Sequence, residues 1–333
     1  MFNYTLGAMD TFEASIGTLS CNKLLEGDSG TTSRLLQLCK DDGFLYLQLD
    51  DPRIEIDTLW KDLEDFTISL FSLTEEEKTQ YHFTQTGRPS TSGFKLAGKE
   101  TGAVKGKKDA YEIYLIPYNE WMATEYQLPL VCPELVQRHR SLLSTYMRNC
   151  HELGLLILER LSTAMGYEDT SELGQHHQSG VASTSSLSLL KYLVHRSDGP
   201  NIGHVPHTDI GSLTLLHTTQ SGLQVFDAPT KSWMFVKPQN NSLLINVGDS
   251  LHLLSGGLLK SSLHRVYPHP DVQANKYSCI YFMRPIEDTS ITMPDGSILT
   301  SSEWHNRKFG LFAASEPQQA KDGGKGILLG QLY

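Results

Sequence analysis

The chain has 333 residues and a formal charge of −10, from 38 acidic and 28 basic side chains. With lysines and arginines scattered among acids, it offers no basic surface for nucleic acid or an anionic membrane, and no window approaches the ~18 apolar residues of a membrane span. Five cysteines, odd in number and without a CxxC pair, give neither a disulfide framework nor a zinc knuckle and fit a reducing, cytoplasmic setting.

In chain order, Leu35, Leu38 and Cys39 form a short apolar stripe ended by Asp42-Gly43, and the run 44–49 reads as a buried strand. Leu59, Leu63, Phe66 and Leu70 share one face of a helix predicted over 58–71. Thr74 followed by Glu77 matches a capping box that opens another. Residues 84–108 carry Gly, Ser, Thr and Lys without periodicity, which predicts a long functional or mobile loop leading to a strand at 111–116. From 133 to 165 an unbroken stripe predicts one long amphipathic helix stopped by Gly166.

After Gly180 the texture changes to short β-type runs, at 187–194, 212–218, 223–226, 233–237, 242–247, 264–267 and 277–283, separated by Gly, Pro, Asn and Asp. Such spacing predicts a barrel or double-sheet roll rather than βαβ units. The expected class is α+β: a mixed helix and strand region over 1–180 packed on a β-roll core over 181–290, with a short extension over 291–333, all one structural unit. A monomer acting on a small molecule, with no nucleic-acid or membrane partner, is the expectation.

Within the roll, His207-Thr208-Asp209 precedes the strand at 212–216, and i and i+2 on extended backbone project to one face. His264 opens a later strand after the Gly256-Gly257 turn and supplies a third ligand. Two imidazoles and one carboxylate cap one face of iron(II) and leave the opposite positions open. The chain contains its own control: His269-Pro270-Asp271 also fits His-x-Asp, but its prolines place it in a surface turn. His176-His177 is assigned to solvent, because neighbours on a strand point oppositely.

These residues resemble the isopenicillin N synthase-like branch of the iron(II)/2-oxoglutarate-dependent dioxygenases. The matching phrases are residues 207–216, Gly222-Leu223-Gln224-Val225, Ile245-Asn246-Val247-Gly248-Asp249, Lys260-Ser261 with His264-Arg265-Val266, and Tyr277-Ser278 leading to Phe282-Met283-Arg284-Pro285. Asp42-Gly43-Phe44 and residues 73–78 extend the likeness over nearly the whole chain. The resemblance implies a distorted double-stranded β-helix (jelly-roll) and an Fe(2+) site at His207, Asp209 and His264. It also implies 2-oxoglutarate and O2 as co-substrates, decarboxylation to succinate and CO2, and removal of hydrogen from a substrate C–H bond. Hydroxylation, desaturation, cyclisation or ring rearrangement then follows, in secondary-metabolite biosynthesis for many members.

By motif position, Tyr192 and Ser278 hold 2-oxoglutarate in this resemblance, and Lys276 stands where the family has arginine. The positive charge survives but the two-pronged guanidinium grip is lost, which implies weaker 2-oxoglutarate binding, a different acid or an impaired enzyme. Phe94, Lys95, Glu112, Tyr114, Phe226 and Phe282 are the candidates for substrate contact around the roll mouth, with simple core or salt-bridge roles as their bland alternatives. His195 and Arg196 could reach the same mouth, and Arg284-Pro285 reads as structural. Two other functions stand beside the oxygenase: a catalytically impaired β-roll that binds a small molecule, and a zinc hydrolase, for which no His-Glu-x-x-His or nucleophile motif is present.

Overall fold

A computed structural model describes residues 12–82, 92–98, 109–123, 131–193, 203–267, 269, 274–313, 327 and 330. His195, Arg196 and Asp271, and most of the loop expected over 84–108, lie outside the described residues.

The first half supplies β1 (Thr18–Ser20), α1 (Cys21–Leu25), α2 (Ser29–Asp41), β2 (Phe44–Gln48), α3 (Ile56–Phe71), α4 (Glu75–Gln80), β3 (Gly93–Lys95), β4 (Tyr111–Pro117), α5 (Tyr118–Ala123), α6 (Glu134–Arg138) and α7 (Arg140–Met165). The capping box at α4 is formed: Thr74 Oγ1 accepts from the Glu77 N–H, and the Glu77 carboxylate accepts from the Thr74 N–H. The single helix expected over 133–165 is broken at His139. There the backbone N–H turns to the Val136 carbonyl, and the ring Nδ1 takes up the Leu135 carbonyl that a continuous helix would have used. Gly166 ends α7 at φ 79°, a conformation that costs a residue with a Cβ.

The second half supplies β5 (Ser186–Tyr192), β6 (His204–His207), β7 (Leu213–His217), β8 (Leu223–Asp227), β9 (Ser232–Phe235), β10 (Ser242–Val247), α8 (Asp249–Leu254), β11 (His264–Val266), β12 (Lys276–Met283), β13 (Ser290–Thr292), β14 (Ile298–Thr300) and α9 (Ser301–Ala313). They form an eight-stranded sheet in the order β1-β2-β10-β7-β12-β5-β4-β3, facing a four-stranded sheet in the order β6-β11-β8-β9. This is the predicted roll. Its large sheet, however, takes four strands from the region expected only to pack on the core.

Strand parity sorts the large sheet. Leu187, Leu189, Leu213, Leu215, Ile245 and Tyr281 point to the helical side, where they share one core with Leu143, Tyr146, Cys150 and Ile157 of α7. Burying that many large apolar side chains, each about 1.5–3 kcal/mol, makes α7 the back plate of the sheet. The alternate residues of the same strands face inward, between the two sheets.

Two of the elements that went unread bear directly on the cavity. Pro206 hides β6, since proline breaks a ladder; the strand tolerates it because β6 is the edge of its sheet. The expected short tail contains α9, whose Thr300 and Glu303 exchange backbone and side-chain hydrogen bonds as a second capping box. Trp304 is fully buried and donates to the Ile210 carbonyl at 3.3 Å, so α9 is fastened over the mouth of the roll. Among the described residues, no helix is long and apolar enough to cross a membrane.

Candidate active site

The antiparallel pairing of β6 with β11 brings His207 directly opposite His264, which closes the long sequence gap between them in one register step. Asp209 follows β6 by two residues. The nearest ligand atoms of the three lie within 4.8 Å of one another, with Asp209 Oδ1 at 3.6 Å from His207 Nε2 and 3.7 Å from His264 Nε2. Bonds of about 2.1 Å to a common ion, set at right angles, would place neighbouring donors roughly 3 Å apart. From 3.6 and 3.7 Å, the two carboxylate–imidazole separations would each shorten by about 0.7 Å to reach it.

Each donor atom is selected by a hydrogen bond on its other side. His207 Nδ1 donates to the Val205 carbonyl at 2.7 Å and His264 Nδ1 to the Ser262 carbonyl at 3.1 Å, so the free lone pair in both rings is on Nε2. Asp209 Oδ2 accepts from Thr214 Oγ1 at 2.6 Å and from the Asn246 amide at 2.8 Å, which leaves Oδ1 for the imidazoles. Burial and the adjacent His207 push His264 down to about 4, so the ring is a neutral base at neutral pH. Burial alone would raise the Asp209 carboxyl, but His264, His207 and the Asn246 amide outweigh it and hold the group well below its ordinary value. Two imidazole nitrogens and one ionised oxygen suit a divalent iron, and the residues present fit it.

The loop carrying these donors is clamped from behind. Lys308 of α9, fully buried, donates to Thr208 Oγ1 at 2.6 Å and pairs with Asp249, itself buried and held by Ser261 Oγ at 2.7 Å. Gly211 is required here: a Cβ would lie 2.7 Å from the Met283 carbonyl and 2.8 Å from Arg284 Cγ.

The donors open on a cavity floored by alternate residues of β12, namely Lys276, Ser278, Ile280 and Phe282. Tyr192 also lines it, paired with Lys276 across β5 and β12. Burial raises the Tyr192 hydroxyl, so it remains a phenol able to donate. Lys276 is 5% exposed and its Nζ donates to Thr218 Oγ1 at 2.6 Å and to the Gln220 carbonyl at 2.5 Å. Both acceptors are neutral. Burial without a counter-charge pushes Lys276 down to about 7.

Of the six residues read as substrate contacts, Phe282 and Lys95 line this cavity, though Lys95 is already paired with Asp109 and lies over the Tyr111 ring. The other four face elsewhere. On β4 the odd positions Tyr111, Ile113 and Leu115 turn inward, so Glu112 and Tyr114 turn out. Glu112 meets Lys78 at 3.1 Å and Lys191 at 3.7 Å, while Tyr114 and its cross-strand partner Phe94 are buried in the helical core. Phe226 packs on Trp233 at the back of β8. His177 is a further correction: it is buried, with Nε2 at 2.7 Å from Ser212 Oγ and Nδ1 at 2.9 Å from the Leu173 carbonyl, because 174–177 form a short 3-10 helix rather than a strand.

Several lining residues escaped the sequence reading. His204 packs its ring 4.3 Å from that of His207, and burial, then His207, keeps it well below its ordinary value and neutral. Phe309 and Phe312 come from α9, with the Phe312 ring 5.4 Å from His207. Arg284, read as structural, also reaches the cavity. The Thr300-x-x-Glu303 pattern was the available signal for α9; the Asn246 contact to Asp209 had none.

Comparison with known proteins adds an independent line. The model of the 2OG-Fe(II) oxygenase superfamily matches residues 183–285. A 2-oxoglutarate-dependent dioxygenase of Aspergillus rugulosus, ecdG, is 37% identical over 306 residues, covering 90% of this chain and 89% of that protein. Another from Gibberella zeae, FG08081, is 31% identical, covering 91% of this chain and 89% of that protein. Among solved structures, a full-length Neurospora crassa protein in complex with alpha-KG superposes with a TM-score of 0.73 at 22% identity, over 91% of this chain and 99% of that one, a likeness of fold.

Proposed function

Because the chain belongs to the 2OG-Fe(II) oxygenase superfamily and is a non-haem iron dioxygenase using Fe(2+), 2-oxoglutarate and O2, we propose that it oxidises a C–H bond of a small organic molecule in a specialised metabolic pathway. The pathway assignment rests on the branch that its motifs resemble, which is rich in natural-product tailoring enzymes. In this reading His207, Asp209 and His264 hold the iron, and the observation that carries it is the convergence of their three free donor atoms beside Lys276 in one buried cavity. Family membership favours this over a β-roll without turnover and over a zinc hydrolase.

When bound, iron with its two co-substrates supplies the oxidising power, such that a substrate R–H, 2-oxoglutarate and O2 become R–OH, succinate and CO2, or a product short of two hydrogens with water. The protein's own part is placement. Lys276 provides a buried ammonium for the far carboxylate of 2-oxoglutarate, assisted by the Ser278 hydroxyl, and the Tyr192 phenol donates a hydrogen bond from the facing strand. Thr214 and Asn246 hold Asp209 in one orientation so that the donor set exists before any ligand arrives. The apolar walls, including Leu216, Val266 and Phe312, exclude water from the reacting bond.

The test is O2-dependent succinate formation by iron-loaded protein during a screen of small organic acids, terpenoids and aromatics, with product masses read alongside. A gain of one oxygen or a loss of two hydrogens supports the proposal. Iron-loaded protein that binds 2-oxoglutarate yet forms no succinate with or without any substrate would count against it.

A further inference from the structure

Strand β12 carries a second cation at its far end. Positions 276, 278, 280, 282 and 284 share the inward face, and the eight steps from Lys276 to Arg284 correspond to roughly 26 Å of extended chain. A five-carbon diacid held at Lys276 does not span that distance. Arg284 therefore faces a different occupant.

Arg284 is 8% exposed and its guanidinium lies 4.9 Å from the centroid of the Phe282 ring. Nη1 donates to the Thr184 carbonyl and to Ser186 Oγ, while Nε is buried without a partner. Among the described residues no carboxylate is within ion-pair distance of it. The carboxylate whose field reaches it is Asp209, and both oxygens of Asp209 are committed, one to Thr214 and Asn246 and the other to the imidazole pair. The nearby His305 is held down to about 3 by burial, so it adds no charge. A buried guanidinium with a spare donor and no counter-charge is costly unless something complements it, and a carboxylate does so with two parallel hydrogen bonds.

We propose that Arg284 anchors a carboxylate on the molecule that is oxidised, making the substrate an organic acid with an apolar body. The reading rests on the iron and 2-oxoglutarate assignment of the same cavity. The body packs between Phe282 on the floor and Phe309 and Phe312 of α9. Phe282, two residues before the anchor, faces Thr214 in register, and Thr214 donates to Asp209, so the floor beside the anchor adjoins the donor set.

Phenylacetate, 3-phenylpropionate and 4-phenylbutyrate, each against its primary amide, are the probes, titrated calorimetrically without O2 into iron-loaded protein, with and without 2-oxoglutarate. At least one acid is expected to bind about 30-fold or more tightly than its amide. Arg284→Gln should erase that preference while leaving 2-oxoglutarate affinity unchanged, and Arg284→Lys should keep part of it. Equal binding of acids and amides across the series by the unaltered protein overturns the proposal, as does a preference that survives Arg284→Gln. Loss of 2-oxoglutarate affinity in Arg284→Gln, with the probes unaffected, overturns it too, by assigning the arginine to the co-substrate. Should the unaltered protein fail to bind 2-oxoglutarate, the failure lies with the proposed function, since the acid and amide comparison is also run without it. Should Arg284→Gln not fold, the comparison in the unaltered protein and in Arg284→Lys decides.

Discussion

The two ends of the Lys276 to Asp209 cavity are built on opposite principles. Around Asp209 every donor has its second atom tied down by a hydrogen bond, so the geometry exists before a cation arrives. Around Lys276 a cation is buried against two neutral oxygens, and its charge is left uncompensated until an anion arrives. In the proposed function, one end is preorganised for a metal and the other is poised for a carboxylate. The two should therefore fail separately.

The largest effect is expected from His264→Ala, which removes one of the three proposed ligands: iron content and activity should vanish together, checked by metal analysis of anaerobically loaded protein. Retention of stoichiometric iron would break the comparison at its metal end. Lys276→Ala should instead raise the 2-oxoglutarate requirement about 100-fold while iron content holds, because one partner of a buried charge pair is lost. Equal activity at limiting co-substrate would remove Lys276 from that role. Asn246→Ala frees one bond to Asp209 Oδ2 and should weaken iron about 10-fold with little change in 2-oxoglutarate affinity at saturating metal, read from iron titrations. The smallest effect concerns pH. With Lys276 at about 7, its ammonium is present below that value and lost above it. The affinity for 2-oxoglutarate should thus fall as pH rises past about 7, by at most about ten-fold per unit. Lys276→Arg should flatten that profile, and an unchanged slope would show that another group governs it.

Much of this contrast was legible in the sequence, and the exceptions have physical causes. The spacing of His207, Asp209 and His264 carried the donor set because strand pairing, not proximity in the chain, brings roll residues together. The apolar periodicity carried α2, α3 and α7. What periodicity cannot give is parity: whether the even or odd residues of β4 face the cavity depends on register with β3 and β5, which is why Glu112, Tyr114 and Phe94 were candidates and Tyr111, Ile113 and Leu115 were not. The proline in β6 masked a strand that only an edge position tolerates. Arg284 read as structural because the absence of a counter-charge, its informative feature, becomes visible only with coordinates. Lys308 in α9 likewise carries no signal in the sequence, because its role rests on the pairing with Asp249 that places it behind Thr208.

The most direct measurement is an anaerobic titration of iron(II) and 2-oxoglutarate into the metal-free protein, followed in the visible spectrum. A weak charge-transfer band is expected to grow to one equivalent of iron, to persist at saturating 2-oxoglutarate in Lys276→Ala and to be absent in His207→Ala, Asp209→Ala and His264→Ala. A band of full intensity in any of the last three, or none in the unaltered protein, would contradict a ferrous centre held by those side chains.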